Sequence, residues 1–145
     1  MEKELLNTFD KELLLKDICA RLPYGVKIQV PYEDGSGYFD ETVWEVNNEG
    51  PFHVNGWGIE YEYVKPYLFP LSSMTDEEQE ELKQEHSKDD MLYIECLERT
   101  VKGDNSMRGK VITHYAMDWC NKNHFDYRGL IEKGLAIDAT GLNIY

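Results

Sequence analysis

The sequence has little cysteine, no long apolar run, and no Lys or Arg anywhere between residues 32 and 62, where eight of its acids lie. Three cysteines, Cys19, Cys96 and Cys120, are odd in number and widely spaced with no CxxC pair. That excludes a disulfide framework and a zinc knuckle and leaves them as small core hydrophobes. No window approaches the roughly 18 uninterrupted apolar residues that span a bilayer. Met1 to Asp10 carries acids where a secretory signal carries a basic and then an apolar run. These absences predict a cytoplasmic chain with no membrane association. P-loop, GxGxxG, GxSxG and HExxH patterns are also missing, so no cofactor is implied.

What is present is globular. A chain of 145 residues, 41% hydrophobic, 12% aromatic and 30% charged, is long enough to bury a core without metals or disulfides. Residues 1–145 are expected to form one domain with one core. The net charge of -13 is concentrated in two places. Residues 32–62 hold eight acids, Glu33, Asp34, Asp40, Glu41, Glu45, Glu49, Glu60 and Glu62, with no Lys or Arg, and residues 76–90 hold eight acids against Lys83 and Lys88. The remainder is close to neutral. Such blocks repel phosphate backbones and steer basic proteins inward, so the expected partner is a protein with a basic surface and not nucleic acid. A second copy of the chain is also compatible with the composition.

Patterning predicts an α+β fold: an N-terminal helix, a small antiparallel sheet or partly open barrel of three to five strands, then C-terminal helices. From Asp10 as N-cap, Leu14, Leu15, Ile18, Cys19 and Leu22 recur at helical spacing until Pro23-Tyr24-Gly25. Val26, Ile28 and Val30 then alternate as a half-buried strand, and Glu33-Asp34-Gly35-Ser36-Gly37 turns the chain. Tyr38 to Val46 reads as a second strand, Asn47 to Pro51 as a turn and Phe52 to Val54 as a short strand. The cleanest alternation sets Trp57, Ile59, Tyr61 and Tyr63 on one face with Glu60 and Glu62 on the other. Lys65 to Leu71, with two prolines that bar regular pairing, is expected to cross the core in extended form.

Thr75 and Glu78 match a capping box opening a solvated acidic helix anchored by Leu82 alone, and residues 76–90 are free enough to move. Met91 to Val101 fits either period, and the alternation of Leu92, Ile94 and Cys96 favours a strand. Ser106 is expected to cap one helix running to about Asn123 on the stripe Met107, Val111, Ile112, Tyr115 and Trp119. A short helix, Tyr127 to Lys133, stops at Gly134.

One polar set has metal-ligand character: His114, Asp118, Cys120 and His124. Its geometry is poor, because each helical residue advances roughly 100° and Cys120 falls about 200° from Asp118. No metal site is assigned, and no catalytic residue, since the carboxylate runs lack the buried pocket that raises one pKa of a catalytic pair.

Three stretches, Leu13 to Lys27 (LLLKDICARLPYGVK), Val64 to Thr75 (VKPYLFPLSSMT) and Asp118 to Asp138 (DWCNKNHFDYRGLIEKGLAID), together resemble a family of short uncharacterised proteins encoded by phages, prophages and other mobile elements of anaerobic gut bacteria. The resemblance covers about a third of the chain, with the words in the same order and interchangeable segments at residues 28–63 and 80–115 between them. It implies a setting inside a bacterial host cell and carries over no catalytic or binding residues. The leading expectation is an accessory, non-enzymatic protein-binding module that uses an acidic sheet face, with Glu33, Asp34, Asp40, Glu41, Glu45, Trp57, Glu60 and Glu62 as its candidate contacts. The alternatives are an acidic DNA mimic that occupies a host nucleic-acid-binding or defence protein, and a small metal-dependent enzyme.

Overall fold

A computed structural model describes residues 8–32, 34–43, 45–47, 50–52, 64–85, 91–104, 106 and 108–145. The chain is α+β, with an N-terminal helix, strands, and then helices toward the C-terminus. It divides into two compact units, Met1–Leu68 with Leu130–Tyr145, and Phe69–Gly129.

In the first unit, α1 (Thr8–Arg21) buries Leu14, Asp17, Ile18 and Arg21, residues three and four apart that form one stripe. Pro23 follows, and Gly25 takes φ 70 to end the turn Leu22–Tyr24, a left-handed conformation open to glycine at little cost. Strand β1 (Lys27–Pro31) pairs antiparallel with β2 (Tyr38–Thr42), setting Ile28 opposite Glu41, Gln29 opposite Asp40 and Pro31 opposite Tyr38. The expected 38–46 strand is cut at Thr42. Its end belongs to a separate hairpin, β3 (Glu45–Asn47) with β4 (Gly50–Phe52). The Trp57 to Tyr63 alternation lies outside the described residues.

The extended crossing at Lys65 is present, and its pairing corrects the expectation. Strand β5 (Lys65–Pro70) bonds on two sides, antiparallel to β1 and parallel to β7 (Ile137–Asp138). Each proline removes one donor only, and the carbonyls stay available: Leu68 O accepts from Ala139 N at 2.8 Å. Leu14, Ile18, Val26, Ile28, Val43, Val64, Leu68 and Leu130 are the centre of this unit's core.

The second unit starts where Phe69 and Pro70 pair in parallel with β6 (Phe125–Asp126). Thr75 and Glu78 form the capping box of α2 (Asp76–Glu85): Thr75 N donates to Glu78 Oε1 at 3.0 Å, and Glu78 N donates to Thr75 Oγ1 at 3.2 Å. Leu82 is the buried residue of α2 among its described side chains.

Residues 91–101 form a helix, α3 (Met91–Val101), and not the strand that alternation suggested. Tyr93, Cys96, Leu97 and Thr100 are buried while Leu92 is exposed, so the helical stripe overrides the period of two. The single helix expected from Ser106 is two, α4 (Arg108–Val111) and α5 (His114–Lys122). Val111-Ile112-Thr113 is a β-branched run, and Thr113 goes extended at ψ 174 to accept from Ala116 N as the cap of α5. The expected helix from Tyr127 to Lys133 is a set of turns, with Gly129 at φ 77 and Gly134 at φ 74. Trp119 stacks on Phe125 at 5.3 Å in this unit's core.

Candidate functional site

Strand alternation sorts the acids of the first block. Tyr32 N donates to Gly37 O at 2.9 Å and Val43 N to Val26 O at 3.0 Å. With the β1–β2 register, these bonds make residues 26, 28, 30 and 32 the hydrogen-bonded partners of 43, 41, 39 and 37. Ile28, Val30, Phe39 and Glu41 therefore lie on the core side, and Gln29, Tyr38 and Asp40 on the opposite, outer side. Asp40 is exposed and Glu41 half-buried, as that division requires.

On the outer face, Asp40 is part of a hydrogen-bonded set that no single segment of sequence shows. The Tyr67 hydroxyl donates to Asp40 Oδ1 and accepts from Gln29 Nε2 at 3.2 Å. Burial and then the Asp40 carboxylate push the Tyr67 phenol up to about 12.

Next to it the segment Ile144-Tyr145 is fastened to the sheet. The Tyr145 hydroxyl accepts from Lys27 N at 3.0 Å and donates to Tyr67 O at 2.8 Å. Extending the β1–β5 register by one residue sets Lys27 opposite Tyr67, so the hydroxyl stands where a direct ladder bond would run. Lys27 Nζ holds the same segment by donating to Ile144 O at 2.8 Å. Desolvation raises the Tyr145 phenol to about 12. On α1, Asp17 and Arg21 form an ion pair at 2.9 Å with both side chains fully buried.

Toward the hairpin tip the outer face carries further polar and aromatic side chains. The hairpin tip carries Asp34, whose carboxyl is held below its ordinary value by the Ser36 hydroxyl and amide. Gly35 at φ 76 makes the turn there. At its base Tyr38, 63% exposed, stands on the outer face, while Tyr32, 47% exposed, belongs to the other face and packs on Phe39 with ring centres 5.1 Å apart.

Of the candidate contacts, Asp34 and Asp40 lie along the hairpin and its outer face, while Glu41 lies on the other side of β2. Glu45 is on β3, whose backbone alone is described, and Glu33, Trp57, Glu60 and Glu62 fall outside the described residues. A phosphate-like ridge needs successive carboxylates on one surface, and Asp40 and Glu41 point to opposite sides. The metal-type set does not converge either: His114 and Asp118 are exposed on α5, Cys120 is buried, and buried His124 sits past the helix end at φ 63. Among the described residues no group of three His, Cys, Asp or Glu could hold a metal ion. Cys19, expected in the core, is exposed on α1, while Cys96 and Cys120 are buried.

A concavity of about 370 Å³ lies between α2 and α3 and is lined by Asp76, Glu80, Lys83, Glu98 and Lys102 among others. Lys83 spans it, 3.2 Å from Glu80 and 3.4 Å from Glu98. Its charges compensate one another and present no single sign to a ligand. Among the described residues no helix is long and apolar enough to cross a membrane. Comparison with protein-family models, with curated proteins and with solved structures finds no match.

Proposed function

We propose that the chain is a non-enzymatic protein-binding module that engages a basic surface of another protein through the β1–β2 hairpin and its outer face. The observation that carries this reading is exposed Tyr38 on the same face of β2 as exposed Asp40, with exposed Asp34 in the adjoining turn. Tyrosine gives a large contact area at the cost of ordering two torsions, and the loop Tyr32 to Tyr38 mixes Tyr, Gly, Ser and acids as adaptable recognition loops do. Carboxylates on the side of the Tyr38 ring select for Lys and Arg by complementarity and speed encounter. Asp40 is positioned in advance because Tyr67 holds one of its oxygens. The resemblance of the three sequence words supports reading the module as an accessory protein of phages and mobile elements that acts in the cytoplasm of a bacterial host.

The test is affinity capture from a lysate of an anaerobic gut bacterium with the tagged full chain, at low salt and at 0.5 M salt, beside Tyr38→Ala and Asp34→Asn. A protein held by the parent chain, released by salt and lost with Tyr38→Ala is the expected result. Recovery of nothing at low salt, or equal retention by both variants, would sink the reading.

A further inference from the structure

The edge of β2 that faces away from β1 specifies how a partner would be bound. Because residues 37, 39, 41 and 43 turn their backbone groups to β1, the N–H and C=O of Tyr38, Asp40 and Thr42 point the other way. Among the described residues no strand pairs with that edge. A row of such groups is a template for another strand, and natural edges are usually blunted by charge, proline or cover. Here the charge is negative and stands beside an exposed tyrosine. A second copy of the chain fits this edge poorly, since an antiparallel β2–β2 pair centred on Asp40 sets two carboxylates opposite each other. A basic strand meets the same groups with the sign reversed.

We propose that the edge of β2 receives an extended basic segment of the partner as an added strand, its Lys or Arg side chains alternating on the face that carries Tyr38 and Asp40. The inference rests on the acidic-face reading above and adds the binding mode. Main-chain hydrogen bonds to residues 38, 40 and 42 give register, and the outer-face carboxylate selects the alternate side chains.

Thr42→Pro separates the two levels. The Thr42 N–H points away from β1, so proline there breaks no ladder bond in the hairpin and is tolerated as in other edge strands, while its ring blocks the edge. The full chain is titrated calorimetrically at low salt with the capped peptide Lys-Val-Lys-Val-Lys-Val-Lys. Two analogues of equal charge, N-methylated on the valines or on the lysines, are titrated in parallel. The expected result is binding of the parent peptide, a loss of about tenfold for one of the two analogues and for Thr42→Pro, and no loss for Thr42→Ala, with circular dichroism confirming that both variants fold.

Equal affinity of all three peptides for parent and Thr42→Pro would overturn strand addition while leaving the acidic face intact. No binding of any peptide would overturn both. A dimer in sedimentation that Thr42→Pro dissolves would assign the edge to a second copy and overturn the basic partner.

Discussion

Replacing Tyr145 by Phe tests whether a side-chain hydroxyl completes the sheet between β1 and β5. The substitution keeps the ring, and with it the Lys27 ammonium 6.0 Å from the ring centre. It deletes the one atom that both accepts from Lys27 N and donates to Tyr67 O. Two neutral hydrogen bonds at roughly 0.5–1.5 kcal/mol each predict a loss of about 1–3 kcal/mol, or roughly 3–10 °C in Tm for a chain of this length. Urea unfolding followed by far-ultraviolet circular dichroism measures the loss, and amide exchange locates it, because the Lys27 N–H should lose protection while the β1–β2 amides keep theirs. An unchanged midpoint with Lys27 still protected would refute the bridging role, since the strands would then close that pair on their own.

The same two phenols set an alkaline limit. Tyr67 and Tyr145 are each raised from 10 to about 12 in the folded chain, so their contribution is complete below pH 10 and is lost as pH rises toward 12. The urea midpoint should fall between pH 10 and 12, and less steeply in Tyr145→Phe. Arg21→Met removes the guanidinium from the fully buried Asp17 carboxylate and should cost about 3–5 kcal/mol by chemical denaturation, with most of it recovered in Asp17→Leu/Arg21→Met. Leu82→Ala should cost about 2–5 kcal/mol. It should also expose residues 76–85 to limited proteolysis ahead of the rest of the second unit, because α2 has no other fully buried described side chain.

The signals that proved legible are local ones. The capping box at Thr75 and Glu78 is satisfied in both directions, and the alternation of Val26, Ile28 and Val30 is matched by burial. Among the described side chains of α2 the buried one is Leu82, as spacing indicated. Sequence reading failed where two periods compete, or where the deciding contact is distant. Residues 91–101 satisfy both templates until Tyr93 and Thr100 complete a helical stripe, Tyr93 by donating to Val111 O and Thr100 by donating to Cys96 O. Val111-Ile112-Thr113 did carry a readable warning, since a β-branched run ending in a capping residue favours two helices over one. No such warning exists for Tyr145, whose partners lie 118 and 78 residues away. Asp40 was singled out for its charge, yet its fixed position comes from Tyr67 on another strand.

That last case bears on how an acidic run should be read. A block of like charge in sequence becomes a block in space only if the secondary structure keeps it on one side. A helix with acids at every position distributes them around its axis and uses the first turn against its own dipole, as Asp76, Glu77 and Glu78 do in α2. A strand divides neighbours between two faces, so Asp40 goes outward and Glu41 toward the core. What remains on the outer face near the hairpin is a sparse set of carboxylates among tyrosines, one of them fixed by a hydrogen bond. Sparse, fixed charge next to aromatic area favours a specific register with alternate basic side chains, whereas a dense ridge would attract any polycation. The selectivity expected of this protein therefore follows from alternation along β2 more than from the net charge of the chain.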